Sequence, residues 1–288
     1  MTFNDPVSLD FFEDSHDKAF LRLARNGDLS ALEHLIRKHQ RMLYSVAVAT
    51  LGDAGEAQQA TCVTLVRACG RLLPSPWDHG FLGCAYRLLI CECVDSRKNG
   101  GSPSDAPLAR DGAVVSVPAR RPTCDARRDH LRAELRQLAP EDRAIVVLRH
   151  IAALSYRETG LTLALTTAAV RSRLYSTRQW LGQRVLPLRR RPGLSDEEEA
   201  LLQGDIDGEL DPIERKAHDR LVAEQSDARA VVAVNRELSH LLNSLGPVEP
   251  PCDLAPLVLS HVADLTANLL LGESSRHQSL APAGRASD

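Results

Sequence analysis

At 288 residues, with 43% apolar and 25% charged side chains, the chain has a globular composition and length for two or three compact units, one domain usually taking roughly 100–200 residues. No apolar run approaches the ~18–20 residues that cross a bilayer, which excludes an integral membrane protein. The first twenty residues carry Asp5, Asp10, Glu13, Asp14 and Asp17 in place of a basic-then-apolar secretory signal, so a cytoplasmic protein is expected. Seven cysteines form no C-x-x-C pair and read as reduced thiols, with neither a disulfide framework nor a zinc knuckle. Cys62 with Cys69, and Cys84 with Cys91, stand seven apart, the spacing of ordinary core positions on a helix.

In chain order the period is helical and no alternating strand pattern competes. Asp28 or Ser30 can cap a helix whose Leu32, Leu35, Ile36, Leu43, Val46 and Ala47 repeat at three and four. Ala57, Thr61, Thr64, Ala68 and Leu72 continue the pattern in a second helix, and Phe81 to Arg97 form a third with Leu82, Ala85, Leu88, Leu89 and Cys93 or Val94 inward. A stretch of turn formers from Asn99 through Pro122 reads as a flexible linker. Pro187, Pro192 and Gly193 mark a second break, and the polar tail from Glu273 is expected to be disordered.

The formal charge of -3 conceals a segregation: residues 1–96 balance to -3, 97–128 to +4, 129–192 to +7 and 193–288 to -11. A basic unit followed by an acidic one suggests a polyanion-binding domain joined to something that mimics or masks the polyanion.

The basic unit carries the most specific pattern. Leu131, Leu135 and Leu138 lead to Pro140 at a first helical turn, and the next helix runs to His150. Ser155 caps a short helix with Glu158 at the capping-box position, and a tight turn at Leu163, Ala164 and Leu165 leads to Thr166, which caps another. This is the outline of a helix-turn-helix. On its second helix Val170, Leu174, Thr177 and Leu181 fall inward, leaving Thr167, Ala168, Arg171, Ser172, Tyr175 and Arg178 outward. Guanidinium and hydroxyl groups on that face suit base edges and phosphates in a major groove, the helix amino terminus at Thr166 favours a phosphate, and Arg173 adds backbone charge.

Residues Leu131 to Leu181, with Leu138-Ala139-Pro140-Glu141-Asp142-Arg143, Leu154-Ser155-Tyr156-Arg157-Glu158 and Ala169-Val170-Arg171-Ser172-Arg173-Leu174, closely resemble the carboxy-terminal DNA-binding domain of extracytoplasmic-function (ECF) sigma factors of the sigma-70 family. The resemblance implies that this domain reads a promoter -35 element, with Arg171, Ser172 and Tyr175 at the groove-facing positions. Ala164 stands where the family usually has glycine. The amino-terminal unit resembles the family's other domain through Ala19-Phe20, Leu51-Gly52-Asp53, Glu56-Ala57, Thr64 to Ala68 and Tyr86-Arg87. That likeness implies contact with core RNA polymerase around Glu56, Gln59 and Arg67, and a helix that melts the -10 element with Arg87, Arg97 and Lys98 as its basic groups. Gln59, Cys62 and Val63 replace the family's acidic and glutamine residues there. Leu201-Leu202, Asp205 to Pro212 and Glu214-Arg215 resemble the opening of a zinc-type anti-sigma domain, but Leu221, Gln225 and Ala228 occupy its metal-ligand positions, so a metal-free domain is expected.

The expected fold is all-α: a sigma-like bundle over residues 1–98, a linker over 99–128, a helix-turn-helix domain over 129–191, an acidic helical extension over 192–272 and a tail over 273–288. The expected function is an ECF-type initiation factor, not an enzyme, with no metal or cofactor, whose partners are core RNA polymerase and promoter DNA and not a membrane. The alternative is a degenerate sigma-like DNA-binding regulator that does not productively bind core polymerase. The charges further predict that the acidic extension folds back on the basic unit or wedges between the two sigma domains, the rival being a docking site for a separate anti-sigma partner.

Overall fold

The computed structural model describes residues 15–72, 81–98, 126–186 and 193–263. Among them every regular element is helical: α1 Ser15–Arg25, α2 Leu29–Leu51, α3 Ala54–Leu72, α4 Phe81–Lys98, α5 Ala126–Gln137, α6 Pro140–His150, α7 Tyr156–Leu163, α8 Thr167–Val185, α9 Asp196–Asp207, α10 Pro212–Glu224 and α11 Ser226–Asn243, followed by α12 over 255–263. Of the expected linker, residues 126–128 open α5 and the rest lies outside the described residues, as does the tail.

The amino-terminal helices begin and stop where local chemistry dictates. Asp28 caps α2 by accepting from the backbone of Ser30 and Ala31, and Gly52 ends it in the left-handed conformation, at φ 84°. The inward stripe of α2 is buried as its period predicts, and so are Ala57, Thr61, Thr64 and Ala68 of α3 and Ala85, Leu88, Leu89 and Cys93 of α4. Cys62 and Cys69 belong to this interior, and burial pushes both thiols up to about 12, which keeps them protonated and unreactive at neutral pH.

The two bundles pack directly on each other. One continuous apolar cluster runs from Leu21 in α1 through Leu174 and Leu181 in α8 to Val258 and Val262 in α12. Arg143, 1% exposed, lies in the seam and donates to the carbonyls of Leu135 (2.6 Å), Leu138 (2.9 Å) and Arg136 at the end of α5, and to Thr50 O (2.7 Å) at the end of α2. A buried cation is tolerated there because two helix carboxyl termini aim carbonyl oxygens at it.

The extension straddles both bundles. Its helices α9 to α11 lie against α8 and α6, and a strap over 244–254 carries the chain from α11 to α2. Along α2, Arg37 and Gln40 bond Asp253 (2.9 and 3.1 Å), Arg41 pairs with Glu249 (2.7 Å), and Ser45 Oγ accepts from Val248 N (2.8 Å). Leu254, Ala255, Val258 and Val262 then enter the main core. The positions matched to metal ligands behave differently: Leu221 and Ala228 join Leu202 and Val232 in a small apolar cluster that holds the three extension helices together.

Candidate nucleic-acid interface

The helix-turn-helix assembles from local signals. Ser155 and Glu158 close a reciprocal capping box at the start of α7, Glu158 accepting from Ser155 N (2.7 Å) while Ser155 Oγ accepts from Glu158 N (3.2 Å). Ala164 ends α7 in the left-handed region at φ 56°, ψ 43°, a geometry that favours glycine. Ala164→Gly is therefore expected to stabilise the fold by up to about 1 kcal/mol, relief of left-handed strain outweighing the entropy that glycine adds to the unfolded chain; urea unfolding measures it. Gly160 has the opposite requirement. A Cβ built there would sit 2.6 Å from Leu165 O, so Gly160→Ala forces the turn apart and should cost about 2 kcal/mol, read as a lower urea midpoint at unchanged slope.

Thr166 Oγ1 accepts from Ala169 N (3.2 Å) and starts α8, whose Val170, Leu174 and Leu181 are at most 1% exposed, with Thr177 also inside. The outward residues divide into two groups. Thr166, Thr167, Ala168 and Ser172 face solvent. Arg173 is turned back within its own domain, on Glu141 (2.7 Å) and Asp142 (3.1 Å) of α6.

The second group meets the extension. Arg171 donates to Glu214 of α10 (2.7 Å), and Tyr175 Oη and Gln179 Nε2 both donate to Glu199 of α9 (2.9 and 3.2 Å). Arg178, expected to face outward, is instead 2% exposed: its guanidinium grips both oxygens of Asp207, the last residue of α9. Its heptad position is outward only for an isolated domain, and the extension supplies the missing wall. Asp207 also accepts from Tyr156 Oη and lies 3.4 Å from Arg149 Nε, while Glu209 accepts from Tyr156 N (3.1 Å) at the amino terminus of α7. Carboxylates thus stand against three guanidinium groups and a helix amino terminus, groups with the chemistry to hold anions.

The electrostatics of this cluster are strongly polarised. Burial pushes the Asp207 carboxyl up, but hydrogen bonds and charge from Arg178, with Tyr156 and Arg149 adding to them, overcome burial and hold it below the usual carboxylate range. Burial raises Tyr156 well above an ordinary phenol, reinforced by the Asp207 charge. His150 lies behind the pair: Arg178 Nε and Nη2 donate to its Nε2 (3.0 and 2.7 Å), and its Nδ1 stands 2.9 Å from the side-chain amide of Asn243 in α11. Burial first, then the Arg178 charge, push His150 down to about 3.

Residues expected to touch DNA or polymerase on the amino-terminal bundle are placed more sparsely. Arg87 donates to Leu161 O (2.8 Å) and Thr162 O (3.5 Å) at the end of α7, joining the two bundles. The side chains of Arg97 and Lys98 lie outside the described residues. Glu56 is exposed, Gln59 half-buried, and Arg67 is exposed and paired with Glu92 of α4. Reading the sequence did not single out Arg149, Tyr156, His150 or Gln179 as part of this surface, nor Glu199, Asp207, Glu209 and Glu214 as its covering; the -11 balance of the extension was their one visible signal.

The geometry defines a class: a helix-turn-helix unit docked on a second helical bundle, with an acidic domain over the outer face of its second helix. Residues 128–181 match the family model described as Sigma-70, region 4. The ECF RNA polymerase sigma factor SigE of Mycolicibacterium smegmatis is 32% identical over 164 residues, 54% of this chain and 63% of that protein. The RNA polymerase sigma-H factor of Pseudomonas aeruginosa is 24% identical over 189 residues, 60% of this chain and 96% of its own length. The match thus spans slightly less than two thirds of SigE and nearly all of sigma-H. Over these residues the chain is similar to sigma factors of the sigma-70 family and its ECF group. Among the described residues no helix is long and apolar enough to cross a membrane.

Proposed function

We propose that the chain is an ECF-type sigma factor that binds core RNA polymerase stoichiometrically, reads a promoter -35 element with α8, and is held closed by its own acidic extension. One observation carries the regulatory part: the donors along α8, Arg171, Tyr175, Arg178 and Gln179, are each met by a carboxylate of α9 or α10. Duplex DNA and the extension compete for the same groups, so only one can occupy α8 at a time. The likeness to named sigma factors supports the initiation role, which needs no catalytic group.

A second reading has one observation of its own. Cys62 and Val63, at the positions where the family turns polar side chains to the polymerase, are buried at 5% and 6% exposure, which favours a DNA-binding regulator without productive polymerase contact. Pull-down of core polymerase with the intact chain and with a Asp207→Asn, Glu214→Gln double variant separates the two. Core association that rises in the double variant supports a closed sigma factor. DNA binding without core association by either protein supports the second reading.

A further inference from the structure

Two arginines cross between the bundles in opposite directions, and each ends on helix carboxyl termini. Arg87 of α4 reaches Leu161 O and Thr162 O in the last turn of α7, and Arg143 of α6 reaches Thr50 O in the last turn of α2. Those carbonyls lack intrahelical partners and lie at the negative end of a helix dipole, so a guanidinium gains both bonds and charge. No residue of the extension takes part in any of these bonds. Gly52, just past the end of α2, lets the neighbouring domain come close: a Cβ there would stand 3.0 Å from Arg136 Nε of α5.

We infer that the closed state is held by two latches that open separately: the acidic clamp over α8, and an arginine seam between α4 and α7 and between α2 and α6 that belongs to the two sigma-like bundles themselves. The latches differ physically. The outer part of the clamp, Arg171 with Glu214, has side chains about a third exposed (32% and 30%), so salt and polyanions weaken it. The seam surrounds the buried Arg143 and continues into the common apolar core, where salt has little reach. Freeing α8 therefore leaves Arg87 docked on α7. With α4 read as the strand-separating helix, which rests on the proposed function, the molecule reads duplex DNA after the first latch opens and engages separated strands only after the second.

The test uses the full chain with non-natural ketone residues at Asn26 and Ser176, both exposed, spin-labelled for distance measurement because native cysteines exclude thiol labelling. Asp207→Asn with Glu214→Gln opens the clamp, and Arg87→Gln added to that pair opens the seam. The clamp variant should keep the short, narrow distance of the parent and bind a plain duplex and the same duplex with a mismatched bubble within about twofold of each other, one phosphate contact being withheld. The triple variant should shift to a longer, broader distribution, and Arg87→Lys in its place, which keeps a donor for one carbonyl, should hold the short distance. Lengthening in the clamp variant alone, or no lengthening in the triple variant, overturns the two-latch inference. Loss of all DNA binding in the clamp variant would strike the functional reading instead, since the distances are read without DNA.

Discussion

Asp207→Asn is expected to raise the affinity of the full chain for duplex DNA roughly 100-fold. In the parent, the carboxylate is 3% exposed and neutralises Arg178, 2% exposed, with Arg149 at 15% alongside. An amide leaves those guanidinium groups buried against a neutral partner, and breaking such a pair typically costs about 3–5 kcal/mol. The cost falls on the docked clamp alone, because once α9 lifts away Arg178 and Arg149 return to water. At 1.4 kcal/mol per decade, the lower figure gives about two decades in the open population, until the closed state no longer dominates. Fluorescence anisotropy with a labelled duplex at fixed salt measures it. Glu237→Gln, which removes an exposed pair with Arg127, should change affinity by less than about twofold.

Acidification is expected to weaken the closed state through His150 before it touches Asp207. The folded pocket holds the imidazole neutral down to about 3, against 6.5 for the free group. The folded value lies below the unfolded one, so the opened or unfolded chain binds the extra proton. Stability is complete above about 6.5 and is lost progressively as pH falls toward 3, by up to about 1.4 kcal/mol per pH unit. At pH 5 the deficit is about 2 kcal/mol. Asp207 has the same sign in a lower window: its folded value lies below 3.8, and its contribution is lost only as pH falls through that value. Between pH 7 and pH 5, therefore, His150 acts and Asp207 does not. Urea unfolding at the two pH values should show the deficit in the parent and not in His150→Gln, whose side-chain carbonyl still accepts from Arg178. An equal deficit in both would assign the acid sensitivity elsewhere.

Much of the helix-turn-helix is legible in the sequence because its determinants are local. Ser155 with Glu158, Pro140, Thr166 and the stripe Val170, Leu174, Leu181 act over three to seven residues, and each does in the structure what its spacing predicts. Ala164 takes the left-handed turn without glycine because only one residue must bear the strain. Arg178 was not legible. Its partner Asp207 stands 29 residues away and becomes a partner only when the chain reverses after α8. The same holds for Arg87, whose acceptors are backbone carbonyls 74 and 75 residues distant, and for Asp253 on Arg37, 216 residues apart. Side-chain identity announces that a guanidinium needs partners, but not whether they are phosphates, carboxylates or helix ends. The charge segregation did carry the direction of the fold-back, since -11 and +7 attract whatever the detailed contacts. The strap on α2 left no such trace: Val248 and Leu254 bind through backbone groups that any residue has.

In vitro transcription with core polymerase on a fragmented genomic template, comparing the parent with Asp207→Asn, Glu214→Gln, tests most directly whether α8 is a promoter reader under its own cover. The parent should give few transcripts, and the clamp-opened variant, whose arginine seam core polymerase then displaces on binding, many, with start sites sharing one upstream element whose recognition is abolished by Arg171→Ala. Transcripts equally abundant from both proteins would contradict the masking, and none from either would contradict the sigma-factor reading itself.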